Sequence, residues 1–390
     1  MLKNKKIWGI AAIAVILFLL GGYFVEENIS DRSIVLGLGI DFQNGQYEVT
    51  AEIAVANAPQ DEAVVSGSKI VSGKGETVAA AVQDIYKTTG RMPSLGQCCI
   101  LVLGENLYKH GDVIQALGYF AFSDNFKDGT TVAACKKTAK ELFQKQTTLD
   151  SYISLSLQTL LNESDDHTTT PSIILNTFMD DNRARGLSSY LPIIEAKELY
   201  APSEKLDESS KKPSGIYACR KMALYRKGKY VGECNEEETR GFVITSNPKS
   251  FEYFVVKDVY REVTFSDMVT IGFLSKRCSV ETEFEGETPV VTVCFRAKLR
   301  RVRTDTAGNV MNGVPHMKKE ISDEILNKVK VQIEAQLQKT IQKSVETGCD
   351  FYQIATAVHR KYPRKWDYFM DEQENFLKGV EFRVDVRLSE

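Results

Sequence analysis

The sequence predicts an α+β, multi-domain protein whose mixed or antiparallel sheets are covered by helices and preceded by one N-terminal transmembrane helix. Segments typical of strands and of amphipathic helices alternate along the chain without a regular strand–helix–strand rhythm. The 390 residues exceed one ordinary domain, and 43% hydrophobic with 26% charged residues is the balance of a chain that builds cores. Residues 7–25 carry no charge.

The uncharged run at residues 7–25 is long enough to cross a bilayer. As a helix it would span about 28 Å at ~1.5 Å per residue, close to the hydrocarbon thickness. Three lysines precede the run and two glutamates follow it, so the amino terminus is expected in the cytoplasm and the body outside. Cleaved secretion is the second interpretation, disfavoured because the run is long for a signal peptide and offers a poor cleavage site. Residues 1–25 are therefore predicted to be a membrane anchor.

The first half of the body is predicted to open with a hairpin and to continue as alternating helices and strands. Turn residues at 41–45 separate two strand-like segments, and helical spacing recurs further along. The predicted elements are strands 33–40, 46–56, 98–103 and 130–135, and helices 76–86, 105–109, 113–122, 136–142, 152–161 and 172–182. Residues 162–170 are polar and are interpreted as a loop. Residues 67–75 are expected to be a mobile loop, because their glycine spacing does not fit a phosphate loop.

A polar segment without periodicity at residues 203–213 is interpreted as a linker. It divides the body into an N-terminal domain at 26–202 and a C-terminal domain at 214–390, with a further sub-boundary near 305. The elements predicted beyond it are a hairpin at 216–225 and 229–233, a second hairpin at 280–284 and 290–299, a long helix at 319–346, a helix at 351–360 and a strand at 380–388. The apolar stripe of the long helix drifts, which favours covering a sheet over forming a coiled coil.

The sequence lacks the patterns of several functional classes. The body is mildly acidic, with a formal net charge of −3 for the whole chain, so nucleic acid is excluded as a partner. Eight scattered cysteines and four scattered histidines predict neither a metal site nor a cofactor. No G-x-S-x-G or H-E-x-x-H motif occurs, and the Gly37-Leu38-Gly39 sequence lacks the third glycine of a dinucleotide fingerprint. We therefore predict no catalytic residues and no enzyme.

Acidic residues do cluster at 165–166, 180–181 and 236–238. A glycosidase needs two carboxyl groups that face one cleft, and a sequence does not show this. Charged clusters are more often solvated surface, which is the interpretation favoured for all three.

Cys278 and Cys294 are equidistant from Gly286, the predicted centre of the second hairpin. If they lie opposite each other on neighbouring strands, a disulfide is geometrically feasible and an extracytoplasmic site permits it. Two free buried thiols are the favoured alternative, because the turn fixes the register only to within one residue.

Several segments, in this order, resemble the C-subunit family of spore germinant receptors, called Ger(x)C. Residues 222–241 (MALYRKGKYVGECNEEETRG) are the most specific match. The other matching stretches are 29–41 with 47–50, 90–91 with 100–106, and 349–351 with 361–363 and Trp366. Together they span nearly the whole chain from residue 29. Thr239-Arg240-Gly241 within the best match is either a partner contact or a structural turn whose arginine pairs locally, and the structural turn is the favoured interpretation.

The resemblance implies one subunit of a three-part receptor in the spore inner membrane, beside an A subunit and a transporter-like B subunit. Family members typically carry a lipidated cysteine after the signal, but the stretch near Gly22-Tyr23 has none. No lipidation is therefore expected, and a transmembrane anchor would supply the tether. The predicted function is an accessory extracytoplasmic subunit that acts in receptor assembly or signal relay during nutrient-induced germination. The alternatives are an anchored solute-binding protein and an anchored cell-wall hydrolase.

Overall fold

The computed structural model describes residues 32–55, 67–123, 125–145, 152–184, 186–198, 215–258, 267–305, 321–365 and 375–390. The predicted anchor at 1–25 and the predicted linker at 203–213 lie outside these ranges. Within them, no helix is both long and apolar enough to span a bilayer.

Strands contain more of these residues than helices do. The strands are β1 (Arg32–Gln43), β2 (Gln46–Val55), β3 (Gly67–Gly75), β4 (Met92–Ser94), β5 (Ile100–Leu103), β6 (Thr131–Cys135), β7 (Ser188–Glu198), β8 (Gly215–Arg226), β9 (Lys229–Cys234), β10 (Tyr253–Asp258), β11 (Asp267–Glu285), β12 (Thr288–Asp305) and β13 (Glu381–Ser389). The helices are α1 (Val78–Thr89), α2 (Glu105–His110), α3 (Val113–Ala121), α4 (Ala139–Gln144), α5 (Ile153–Asp166), α6 (Leu175–Asp181), α7 (Glu236–Ser246), α8 (Asp323–Thr347) and α9 (Ile354–Lys361).

The first sheet has the order β3-β2-β1-β5-β6-β7-β8-β9, with β4 also paired to β1. Its centre, from β1 to β7, is parallel, and its flanks are antiparallel. Helices cover both faces: α1, α2, α3 and α6 pack on one core, and α4 and α5 on the other. The four residues of β5 are fully buried and point alternately into the two cores, as expected for a central parallel strand. The predicted mixed α+β architecture is confirmed.

Strand pairing crosses the predicted domain linker. β7 pairs with β8 along its whole length, from Ser188 opposite Arg226 to Glu198 opposite Gly215. β8 and β9 therefore complete the first sheet, although they follow residue 213. A polar segment without periodicity is as typical of a long connection between neighbouring strands as of a linker. The sheet boundary consequently falls after β9 rather than at 203–213.

The second sheet has the order β10-β11-β12-β13, and its inner face is covered by α8. Ile325, Val329 and Ile333 of α8 pack against inner-face residues of β11 and β12. The helix ends at Gly348, whose φ of 71° is the left-handed conformation that glycine adopts readily. The long hairpin and its covering helix agree with the sequence prediction, although both strands are longer than predicted.

Helix α7 connects the two sheets and replaces a predicted turn. Asn235 and Glu238 form a capping box that starts the helix, so Thr239-Arg240-Gly241 lies within it. Gly241 packs directly against the α8 backbone and Thr340, where a Cβ would clash. Arg240 pairs with Glu252, so the local partner predicted for this arginine is present. The turn prediction was wrong for two reasons. The capping box before these residues starts a helix, and Gly241 serves close packing of that helix against α8 rather than a turn.

Two other loop predictions were wrong. Residues 67–75 form β3, which pairs with β2 from Val55 opposite Gly67 to Tyr47 opposite Gly75. Gly73 and Gly75 let α1 lie close against this strand, since a Cβ at either would meet the helix backbone. Within 162–170, helix α5 continues to Asp166. A glycine-rich strand held by backbone pairing shows little hydrophobic alternation, which explains the first error.

The register of the second hairpin differs by one residue from the predicted opposition of its cysteines. Cys278 lies opposite Phe295, and Cys294 lies opposite Ser279. Successive side chains on a strand point to opposite faces, so this offset places the two thiols on different faces of the sheet. Both are free, and burial raises the pKa of Cys278 to about 11. The facing geometry that a disulfide requires is absent from this register.

Candidate functional site: the outer face of the second sheet

The outer face of the second sheet is the side opposite α8. Paired residues share a face, and on this face Arg277 lies opposite Arg296, Lys298 lies opposite Ser275, and Arg300 lies opposite Gly272. All four cationic side chains are exposed. We call Arg277, Arg296, Lys298 and Arg300 the cationic band.

The cationic band has no acidic partner within the described ranges, since none of its members forms an ion pair there. Arg277 and Arg296 are directly opposite, and Arg387 of β13 lies opposite Arg296 on its other side. Like charges directly opposite on neighbouring strands repel each other. In a protein of net negative charge, this arrangement concentrates positive potential on one face.

An apolar strip lies beside the cationic band, at the edge of the same sheet. Tyr253, Val255 and Leu274 are 49%, 51% and 61% exposed, and Phe251 is similarly exposed. Tyr253 and Val255 alternate with the buried Phe254 and Val256, so they point outward. We call Phe251, Tyr253, Val255 and Leu274 the apolar strip.

The apolar strip and the cationic band are contiguous. Tyr253, Gly272 and Arg300 form one row across β10, β11 and β12. Two strand spacings separate Tyr253 from Arg300, about 9.5 Å, and the glycine between them carries no side chain. A groove of ≈ 400 Å³ between Phe251 and Leu274 extends the strip. A partner can therefore contact apolar and cationic groups at once.

Buried contacts fix the position of the strip. Lys276 lies beneath it, and its Nζ donates hydrogen bonds to the Ile244 carbonyl (2.8 Å) and the Ser250 Oγ (2.7 Å). Burial lowers the pKa of Lys276 to about 8. The Phe251 carbonyl accepts a hydrogen bond of 2.7 Å from Thr168 Oγ1, just after α5. The segment that leads into β10 is thus attached to Lys276 and to the segment that follows α5.

The acidic clusters singled out in the sequence do not belong to this face. Glu236–Glu238 form the first turn of α7, where Glu238 completes the capping box. Asp165 is half-buried at the end of α5, and burial raises its pKa. Asp180 and Asp181 end α6. In the ranges the structure describes, no group of three or more histidine, cysteine or acidic side chains is arranged to hold a metal.

No pattern in the sequence predicted the outer face of the second sheet as a candidate site. Residues 253–256 are uninterrupted apolar residues, which hides the fact that only every second one is buried. The row of arginines depends on an exact register. The sequence feature that could have indicated this row is the high density of arginine and lysine between 296 and 303 in a chain that is otherwise acidic.

Comparison with known proteins identifies the class to which this fold belongs. A profile described as "Spore germination protein N-terminal domain" matches residues 26–196. A second, "Spore germination B3/GerAC like, C-terminal", matches residues 220–389. The chain is thus a spore germination protein, and it belongs to the Ger(x)C family that the sequence resembles.

One solved structure agrees with the fold. The crystal structure of the GerBC protein superimposes with a TM-score of 0.50 at 15% identity, covering 90% of this chain and 96% of that chain. At this identity the likeness concerns the fold alone. No curated protein matches the sequence.

The family profiles separate where the sequence predicted a linker. The first ends at 196 and the second begins at 220, on either side of residues 203–213. The profile boundary therefore passes between β7 and β8, two paired strands of one sheet. Membership of the family supports a role in spore germination.

Proposed function

We propose that this protein is an accessory, extracytoplasmic subunit of a germinant receptor and that it acts in receptor assembly. The outer face of the second sheet would bind another subunit, the A or the B subunit of the same receptor. The contiguity of the apolar strip with the cationic band carries the proposal. Apolar surface supplies most of the free energy of association, and charge around it supplies orientation and a fast encounter.

The edge position of the strip adds a second mode of contact. Among the described strands, β10 pairs only with β11, so its other side offers free backbone N–H and C=O groups. An extended segment of a partner can pair with such an edge, and pockets beside it select side chains. The partner surface expected here is an extended apolar segment with acidic neighbours.

The proposed membrane anchor at residues 1–25 would assist this contact. A body tethered to the inner membrane of the spore shares that surface with its partners. The resulting effective concentration makes moderate affinity sufficient for assembly.

The decisive experiment introduces the same charge at two exposed valines. Val255→Glu places a carboxylate in the apolar strip, and Val331→Glu places one on the solvent side of α8, where Val331 is 64% exposed. Each variant replaces the chromosomal copy, and spores are assayed for nutrient germination and for membrane levels of the A and B subunits. We expect Val255→Glu to lower both and Val331→Glu to lower neither.

Equal behaviour of the two variants, with the protein itself at normal level, would contradict the proposed contact. Retention of A and B subunits together with loss of binding to anionic vesicles would reassign the face to the membrane surface. A non-nutrient germination trigger provides the control for spore integrity, because it should act normally on every strain.

A second candidate function is solute binding between the two sheets. It is favoured by a cleft at their junction, lined by polar and aromatic residues from both sides.

A further inference from the structure

The junction of the two sheets holds a cleft of ≈ 520 Å³. One wall comes from the start of β7, a strand of the first sheet, and from the end of α6, which packs on that sheet. The other walls come from α7, β11 and the segment that leads into α9. A cleft of this size accommodates a small molecule, and junctions between structural units are frequent sites for one.

Asp181 lines this cleft with a carboxylate that has no partner among the described residues. The Asp181 carboxylate forms no hydrogen bond or ion pair with any residue in the described ranges, although Arg360 lines the same cleft. Partial burial, and then the charge of Asp180, raise the pKa of Asp181 to about 6. A carboxylate that has lost water without gaining a donor is stabilised by a cation placed beside it.

Ser189 provides a second unsatisfied group in the same cleft. Ser189 is only 4% exposed, and its Oγ has no hydrogen-bond partner in the part of the chain that the structure describes. Buried hydroxyl groups almost always find a partner in folded proteins, so an orphan in a residue that lines a cavity is a candidate for a polar contact made from the cavity. Asp181 and Ser189 come from adjacent elements, α6 and β7, on one wall.

The walls of the cleft are fixed before any ligand arrives. The Asp350 backbone N–H donates to Ser188 Oγ at 2.9 Å, which connects the two walls. The Asp350 carboxylate in turn accepts hydrogen bonds from the Ile354 and Ala355 N–H groups at the start of α9. Gln353, on the far wall, has a φ of 53°, a left-handed conformation that is costly for a non-glycine residue. Such strain persists where the surroundings impose it, and it is frequent at ligand sites.

We propose that this cleft binds a small molecule that carries a protonated amine. The ammonium group pairs with the Asp181 carboxylate, and a polar atom of the ligand bonds to Ser189 Oγ. Tyr190, Phe242 and Phe351 also line the cleft and supply flat apolar walls for the carbon skeleton. The site is separate from the outer face of the second sheet, so it does not depend on the assembly role.

The test uses the full-length protein in detergent and pairs of probes that differ only in charge. Benzylamine and cyclohexylamine are compared with benzyl alcohol and cyclohexanol by saturation-transfer NMR titration. The variants are Asp181→Asn and Ser189→Ala. The control is Asp180→Asn, which removes the same charge one residue away, at an exposed position that does not line the cleft.

We expect the wild type and Asp180→Asn to bind each amine at least tenfold more tightly than its alcohol. Asp181→Asn should lose this preference, and Ser189→Ala should weaken binding of the amines severalfold. Because burial disfavours the ionised Asp181 carboxylate and no described residue pairs with it, its replacement by Asn should not lower the melting temperature, which confirms that the variant is folded.

Three results would overturn the proposal. One is the absence of amine binding to the wild type. Another is equal affinity for amines and alcohols, and the third is an Asp181→Asn variant that retains the preference. None of these results would affect the Val255→Glu comparison, which tests the assembly role alone.

Discussion

The two edge strands of the second sheet differ in whether charged side chains protect them against pairing with another chain. On β13, the outward residues Glu381, Arg383, Asp385 and Arg387 alternate in sign. Arg383 pairs with Glu381 at 2.7 Å and with Glu285 of β11 at 2.9 Å. Charged side chains along an edge strand discourage pairing with another chain. On β10, the outward residues Tyr253 and Val255 are apolar and half exposed.

This difference indicates that the fold does not require an edge strand to be apolar and exposed. The chain that protects β13 with four charged residues leaves Tyr253 and Val255 outward on β10. An exposed apolar edge is an aggregation hazard unless a partner covers it. The contrast therefore favours β10 as the edge that is covered in the assembled receptor.

Giving β10 the charge pattern of β13 should produce the largest effect on assembly. In Tyr253→Arg/Val255→Glu, two half-exposed side chains lose apolar burial worth about 1 kcal/mol each at an interface. The affinity for the partner subunit should fall roughly thirtyfold. Quantitative co-capture from spore membranes measures this, with Val331→Glu as the control. Unchanged capture would show that the edge is not the contact.

Giving β13 an apolar pattern should have the converse effect. Glu381→Val/Arg383→Val removes the ion pairs and leaves an unprotected edge, so the protein should self-associate with increasing concentration. Size-exclusion chromatography with light scattering measures the mass. Glu381→Gln/Arg383→Gln, which removes charge but keeps polarity, should behave as the wild type. Self-association of both variants would show that ion pairing, rather than polarity, protects the edge.

Reversing the cationic band should have a smaller effect that depends on salt. In Arg296→Glu/Lys298→Glu, attraction to an acidic partner becomes repulsion, which lowers the association rate about tenfold at low ionic strength. The difference from wild type should shrink above ~0.1 M salt, where the Debye length is about 10 Å. Lys87→Glu/Arg91→Glu, on exposed positions around α1, is the control. A defect that does not change with salt would point to altered folding.

Local signals in the sequence predicted much of the fold. The apolar stripe of α8, the glycine at its end and the three hairpin turns depend on residues that are near one another in the chain. The β7–β8 pairing, in contrast, joins residues on either side of 199–214 and leaves no local trace. β3 escaped prediction because its glycines serve close packing under α1.

The candidate site was harder to predict because it depends on register. A one-residue error separated Cys278 from Cys294, and the same error would remove Arg277 from the row of Arg296. Turn residues fix a hairpin register only to within such an error. Which apolar residues of 253–256 face outward also depends on pairing with β11 and on the cover that α8 provides.

The smallest effect is expected from single ion pairs on the charged edge. Arg387 pairs with Asp385 at 2.8 Å, but it also lies opposite Arg296, a like charge. Arg387→Ala removes an attraction and a repulsion together, and exposed pairs contribute little in any case. Its urea-unfolding midpoint should stay close to that of the wild type. Asp385→Ala removes only the attraction and leaves two arginines facing each other, so it should lower the midpoint more.

Because the two variants remove the same ion pair, the difference between their midpoints isolates the cross-strand repulsion between Arg387 and Arg296. Arg387→Ala proving the more destabilising would mean that β13 is held by this arginine and that its charges serve stability as well as protection of the edge.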